Sequence, residues 1–123
     1  MASRVWLVFI VTLLGAPAAE GDETKARQIY TEGEAAFSGG RYKEAARDFE
    51  AAFAESRYPS LLWNVAQSYR KQYELDRDVV NLRRASAVYQ NYRELLPPEA
   101  NRAEVDAALA AVTRGEIFLN TTH

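Results

Sequence analysis

Between Asp22 and Thr113, apolar residues recur three and four positions apart, which sets them along one side of an α-helix. The first such segment runs from Asp22 to about Gly39, with Ala26, Ile29, Tyr30, Gly33, Ala36 and Phe37 on its stripe. Gly39-Gly40 ends it, because glycine enters the left-handed region of a helix C-terminus at little steric cost. Tyr42, Ala45, Ala46, Phe49, Ala52 and Phe53 restart the period, and Tyr58-Pro59 stops it. The pattern predicts two helices joined by a tight glycine turn, an antiparallel hairpin.

A third helix is predicted from Pro59, with Ser60 as its cap, to about Tyr73. Its stripe is Leu62, Val65, Ala66 and Tyr69. Glu74 to Asp78 is a charged junction without Gly or Pro. A fourth helix follows through Leu82, Ala85, Val88, Tyr89, Tyr92 and Leu95, ending at Pro97-Pro98. Asn101 to Thr113, with Val105, Ala108, Leu109 and Val112, predicts a short amphipathic helix stopped by Gly115. Residues 115–123 then read as a flexible tail. No strand pattern rivals these segments, so the predicted fold class is all-α.

The N-terminus follows a different grammar. Arg4 precedes an apolar run, Val5 to Leu14, and small residues at Ala16 and Ala18 stand in the relation a signal peptidase requires. The run is short of the about 20 residues that span a bilayer. Residues 1–18 therefore read as a signal peptide cleaved after Ala18, leaving a helical domain over 22–114. Contact with a membrane is expected only through that peptide before cleavage, and the expected location is outside the cytoplasm, in a periplasm.

Composition narrows the chemistry. The chain has 123 residues, enough for one domain, and a formal charge of −2 with acids and bases interspersed. That gives no basic field for nucleic acid. Cysteine is absent and the single histidine is His123. Thiolate chemistry, Ser-His-Asp catalysis and multi-His metal sites therefore lack their material. Paired carboxylates such as Glu44 with Asp48 have no nearby His or phosphate loop and read as solvated faces. No catalytic residue, metal or cofactor is expected, and the protein is not expected to be an enzyme.

The two hairpins repeat one another. From Gly33 to Ala52 the chain reads G-x-x-A-F-x-x-G-x-Y-x-x-A-x-x-x-F-x-x-A. This resembles the tetratricopeptide repeat, with Gly33 at the small position, Ala36-Phe37 at the aromatic pair, Gly40 at the turn, and Ala45, Phe49 and Ala52 on the second helix. In the second copy Val65, Ala66 and Tyr69 match the first-helix pattern, while Ala85, Tyr89 and Tyr92 match the second. The offset between copies grows by seven residues between Tyr69 and Ala85, about two helical turns, so both helices can lengthen with their registers kept. The turn glycine is missing there, and Tyr92 replaces a small residue. The phrases LLWNVAQSYR, AVYQNYRELLP and NRAEVDAALAAV are also similar to short exported repeat proteins of Gram-negative bacteria.

The resemblance implies two antiparallel hairpins stacked as a short solenoid, closed by the C-terminal helix as a cap. It also implies a concave groove lined by the first helix of each hairpin, where a protein or peptide docks. Carried onto this chain, the groove positions are Tyr30, Glu34 and Phe37, then Trp63, Asn64, Gln67, Arg70 and Lys71. Trp63, Gln67 and Arg70 make a stripe beside the core stripe, an aromatic anchor flanked by hydrogen-bonding and cationic groups. Trp63 has an alternative place, packed between helices. The family's peptide-carboxylate clamp is not supported, because Asn64, Arg70 and Lys71 lie on one helix and Glu34 opposes them. The expected role is a non-catalytic adaptor or scaffold of the cell envelope. Alternatives are a glycan or small-ligand binder using the groove aromatics, or a structural subunit that oligomerises. Size-exclusion with light scattering separates a capped monomer from a dimer.

Overall fold

The computed structural model describes residues 23–121, with side chains described through Gly115. The signal peptide and its cleavage site lie outside the described residues, as does His123. Five helices follow in order: α1 (residues 23–38), α2 (Tyr42–Ser56), α3 (Ser60–Asp76), α4 (Val79–Leu95) and α5 (Ala103–Thr121). No strand occurs among the described residues. Each of α3, α4 and α5 packs on the helix before it, giving an all-α short helical solenoid.

Three left-handed residues close the first three helices. Gly40, at φ 79°, donates to Phe37 O while the Arg41 N–H reaches Ala36 O, which satisfies the last carbonyls of α1. Arg57 (φ 63°) and Arg77 (φ 56°) do the same after α2 and α3, each donating to the carbonyl four residues back. A non-glycine residue in this region carries a strain of about 1–2 kcal/mol. Here each guanidinium lies over the ring at that earlier position, 5.2 Å from Phe53 and 5.5 Å from Tyr73. Such contacts contribute about 0.5–1 kcal/mol at exposed sites and offset part of the strain.

The core consists of two linked clusters. One joins Ala36 of α1, Ala45, Phe49 and Ala52 of α2, and Leu61 and Val65 of α3. The other joins Ala66 and Tyr73 of α3, Leu82, Ala85 and Tyr89 of α4, and Val105, Ala108 and Val112 of α5. Tyr69 and Val88 pack against both. Helix α3 thus serves two neighbours with two adjacent stripes, because it is sandwiched between α2 and α4. This corrects the single stripe expected for it. Val65 and Ala66 are fully buried, Leu62 and Tyr69 are only half-buried, and Leu61, Ser68 and Tyr73 are buried in addition.

The second hairpin is longer than the first. Relative to the first hairpin, α3 runs on past Ala66 to Asp76, and α4 begins well before Ala85, so both helices lengthen around the second turn. The helix reaches Asp76 rather than Tyr73 because Arg77 supplies the left-handed closure and Asp78 caps α4, accepting from the Val80 N–H at 3.0 Å. Buried Asn81 donates to Asp76 at 3.1 Å, tying the two helix ends together. Gln72 and the Asp78 N–H also donate to Asp76, and these bonds hold its carboxyl below the usual carboxylate range.

Other expectations are corrected. Ser60 does not cap α3; Pro59 stands before the helix in helical geometry, and no side chain caps it. Leu95 is half exposed, and Leu96 turns onto the core instead as α4 ends. Gly115 does not stop the last helix, which continues to Thr121. A Cβ at Gly115 would stand 3.1 Å from Leu82 Cδ2, so this glycine lets α5 lie close on α4.

Candidate functional site

Helices α1 and α3 line one side of the solenoid with two adjoining hollows. The smaller, about 290 Å³, is bordered by Tyr30, Glu34, Phe37 and Ser38 of α1, Phe49 of α2, and Trp63, Asn64 and Gln67 of α3. Six of the eight residues expected in a groove therefore meet here. The small residue at Gly33 explains why α1 lies so close to its partner. A Cβ there would stand 2.9 Å from the Phe49 ring, so any larger residue would force the ring or the helix to shift.

Arg70 and Lys71 stand outside the lining. Lys71 is exposed and pairs with Glu74 at 3.6 Å. Arg70 is half-buried beside the Tyr89 hydroxyl, which donates to Gln67 Oε1 at 2.6 Å. Gln67 is the last α3 residue of the lining, and Arg70 and Lys71, one turn of about 5.4 Å farther along the helix axis, lie past its end. Burial pushes the Tyr89 phenol above its ordinary pKa, and the Arg70 cation offsets part of that shift. Tyr30 is also raised, first by burial and then by Glu34 one turn along α1.

The larger hollow, about 490 Å³, continues from Tyr30, Trp63 and Asn64 toward the α4–α5 end. Its walls add Glu23 and Arg27 from α1, Tyr58 from the α2–α3 turn, Tyr92 from α4 and Glu104 from α5. The Tyr58 hydroxyl donates to Glu23 at 3.2 Å, across 35 residues of chain. None of these five residues belongs to the expected groove set. Tyr92 reads in the sequence as a core position and Tyr58 as a helix stop, and no local pattern links either to α1.

Trp63 belongs to both hollows and to the core. It is half-buried, with ring centroids 5.2 Å from Tyr89 and 5.6 Å from Tyr92 in tilted geometry. These pairings hold the indole against the second cluster while the rest of it borders the groove. The choice between core and groove thus resolves into both. Aromatic walls with a few polar groups suit recognition of a peptide or small ligand. Among the described residues no three potential metal ligands come together, and no helix is long and apolar enough to cross a membrane. Comparison with family models, curated proteins and solved structures finds no match to this chain.

Proposed function

We propose that this chain is an exported, non-catalytic adaptor of the tetratricopeptide-repeat type, cleaved after Ala18 and docking a protein or peptide in the cell envelope. The observation that carries this reading is the convergence of Tyr30, Glu34, Phe37, Trp63, Asn64 and Gln67 on one hollow between the first helices of successive hairpins. Their equivalence in the repeat is what the resemblance implies, and a helical solenoid presents such positions on a continuous face. Side chains already packed against one another bind with a small ordering cost; Trp63 rests on Tyr89 and Tyr92, and Tyr30 on Phe49 at 5.7 Å.

The larger hollow favours a second reading. Tyr30, Tyr58, Trp63 and Tyr92 surround one space of about 490 Å³, within the ordinary size of a small-ligand pocket, and sugars stack on such rings. Affinity capture from an envelope extract of the source cell tests the two together. The adaptor reading expects a protein that the wild type retains and Gln67→Ala releases. Recovery of a glycan with no protein partner overturns it in favour of the ligand pocket.

A further inference from the structure

The two hollows share Tyr30, Trp63 and Asn64 and so form one groove. Its charge differs from what the sequence stripe suggests. Arg70 and Lys71, the cations expected there, stand outside the lining. Among the described residues, three carboxylates border it instead, Glu23, Glu34 and Glu104, against one cation, Arg27. Lys25, which neighbours α1's acidic end, is engaged by Glu55 at 3.1 Å. The carboxylates at the larger hollow come from α1 and α5, and they share its lining with aromatic rings from α1, the α2–α3 turn, α3 and α4. Carboxylates attract a cation at long range, and aromatic faces hold it at contact through their negative quadrupole, most strongly for indole.

We propose that the larger hollow receives the guanidinium or ammonium group of an Arg or Lys side chain, carried by a peptide lying in the groove. This partner chemistry rests on the adaptor reading. Glu23 and Glu104 attract the cation, Tyr58, Trp63 and Tyr92 wall it, and Arg27 limits its affinity. An acidic partner meets net repulsion here, so the groove selects basic segments.

Isothermal titration calorimetry tests this with four probes: a blocked Gly-Ser peptide carrying one Arg, the same peptide with citrulline or Glu in its place, and free argininamide. The Arg peptide should bind about tenfold tighter than the citrulline peptide, and the Glu peptide should not bind. Glu23→Gln and Glu104→Gln should each weaken the Arg peptide roughly threefold, while Arg27→Gln should tighten it by a similar factor. These side chains are exposed, so the variants should fold, and Glu94→Gln, outside the groove, serves as control. Equal binding of the Arg and citrulline peptides, no binding of any probe, or indifference to both carboxylate substitutions would overturn the proposal. Argininamide binding as tightly as the Arg peptide would leave the cation site standing and count against a peptide groove. A captured envelope protein that the Glu23→Gln, Glu104→Gln double variant holds as well as wild type would keep the adaptor and remove the cation site.

Discussion

Single residues in this protein carry two duties, and Trp63 shows how they combine. Its contacts with Tyr89 and Tyr92 secure one side, while its half-buried state leaves the remainder at the groove. Trp63→Ala should therefore cost about 1.5–3 kcal/mol, below the about 3–5 of a fully buried Trp, read as a shifted urea midpoint. Trp63→Phe should recover much of that. A loss below about 0.5 kcal/mol for Trp63→Ala would mean that the aromatic packing contributes nothing.

Tyr69 offers a second residue-scale test. Its hydroxyl donates to Glu50 at 2.8 Å, and burial first and Glu50 second push the phenol up from 10.0 to about 12. Arg84, over the ring at 5.7 Å, opposes the shift. A phenol whose folded pKa is raised contributes stability that is whole below pH 10 and disappears as pH climbs to about 12. Denaturant midpoints of the wild type should fall across that window, and Tyr69→Phe should flatten the fall. Tyr30 and Tyr89 are raised too, so flattening rather than abolition is expected. An equally steep decline in Tyr69→Phe would exclude its role.

At the scale of elements, two helical glycines separate close packing from helix termination. Alanine in place of glycine within a helix gains about 1 kcal/mol from propensity. At Gly33 the added methyl would meet the Phe49 ring at 2.9 Å and the Asp48 Cβ at 3.2 Å. Overpacking of this kind costs about 1–3 kcal/mol, so Gly33→Ala should be destabilising overall. At Gly115 the methyl meets one terminal methyl of buried Leu82 at 3.1 Å and no backbone, so Gly115→Ala should cost less than Gly33→Ala and lie near neutral. Thermal melts of the two variants should move apart. The α1–α2 turn was legible because Gly-Gly announces it. The other two closures use Arg57 and Arg77, which carry no turn signal, and their aromatic partners only become evident once the helices end there.

The whole molecule behaves as one unit to the extent that its two clusters are coupled. Tyr69 and Val88 touch both, and α3 belongs to both. Nearest-neighbour coupling of this kind predicts one cooperative transition rather than two. Val112→Ala, at a fully buried site of α5, should cost about 2 kcal/mol, seen as a lower single melting temperature without a separate early transition. A distinct early phase confined to α5 would show that this helix is an appendage, not a cap.

The helical class and the five helical segments were decided by the sequence alone. A 3.6-residue period is a local property, written within each helix and readable without its neighbours. The same holds for Gly33 and Gly40, whose lack of a side chain marks close crossing and tight turning. Only the tertiary structure decided what the groove contains. Arg70 and Lys71 sit one turn too far along α3 to reach it, whereas Glu23, Tyr58, Tyr92 and Glu104 enter it from other elements. Only packing revealed that Gly115 seats α5 on Leu82 rather than ending it. The physical reason is common to both: which side chains share a space depends on how helices distant in sequence cross, and the period of one helix carries no record of that angle.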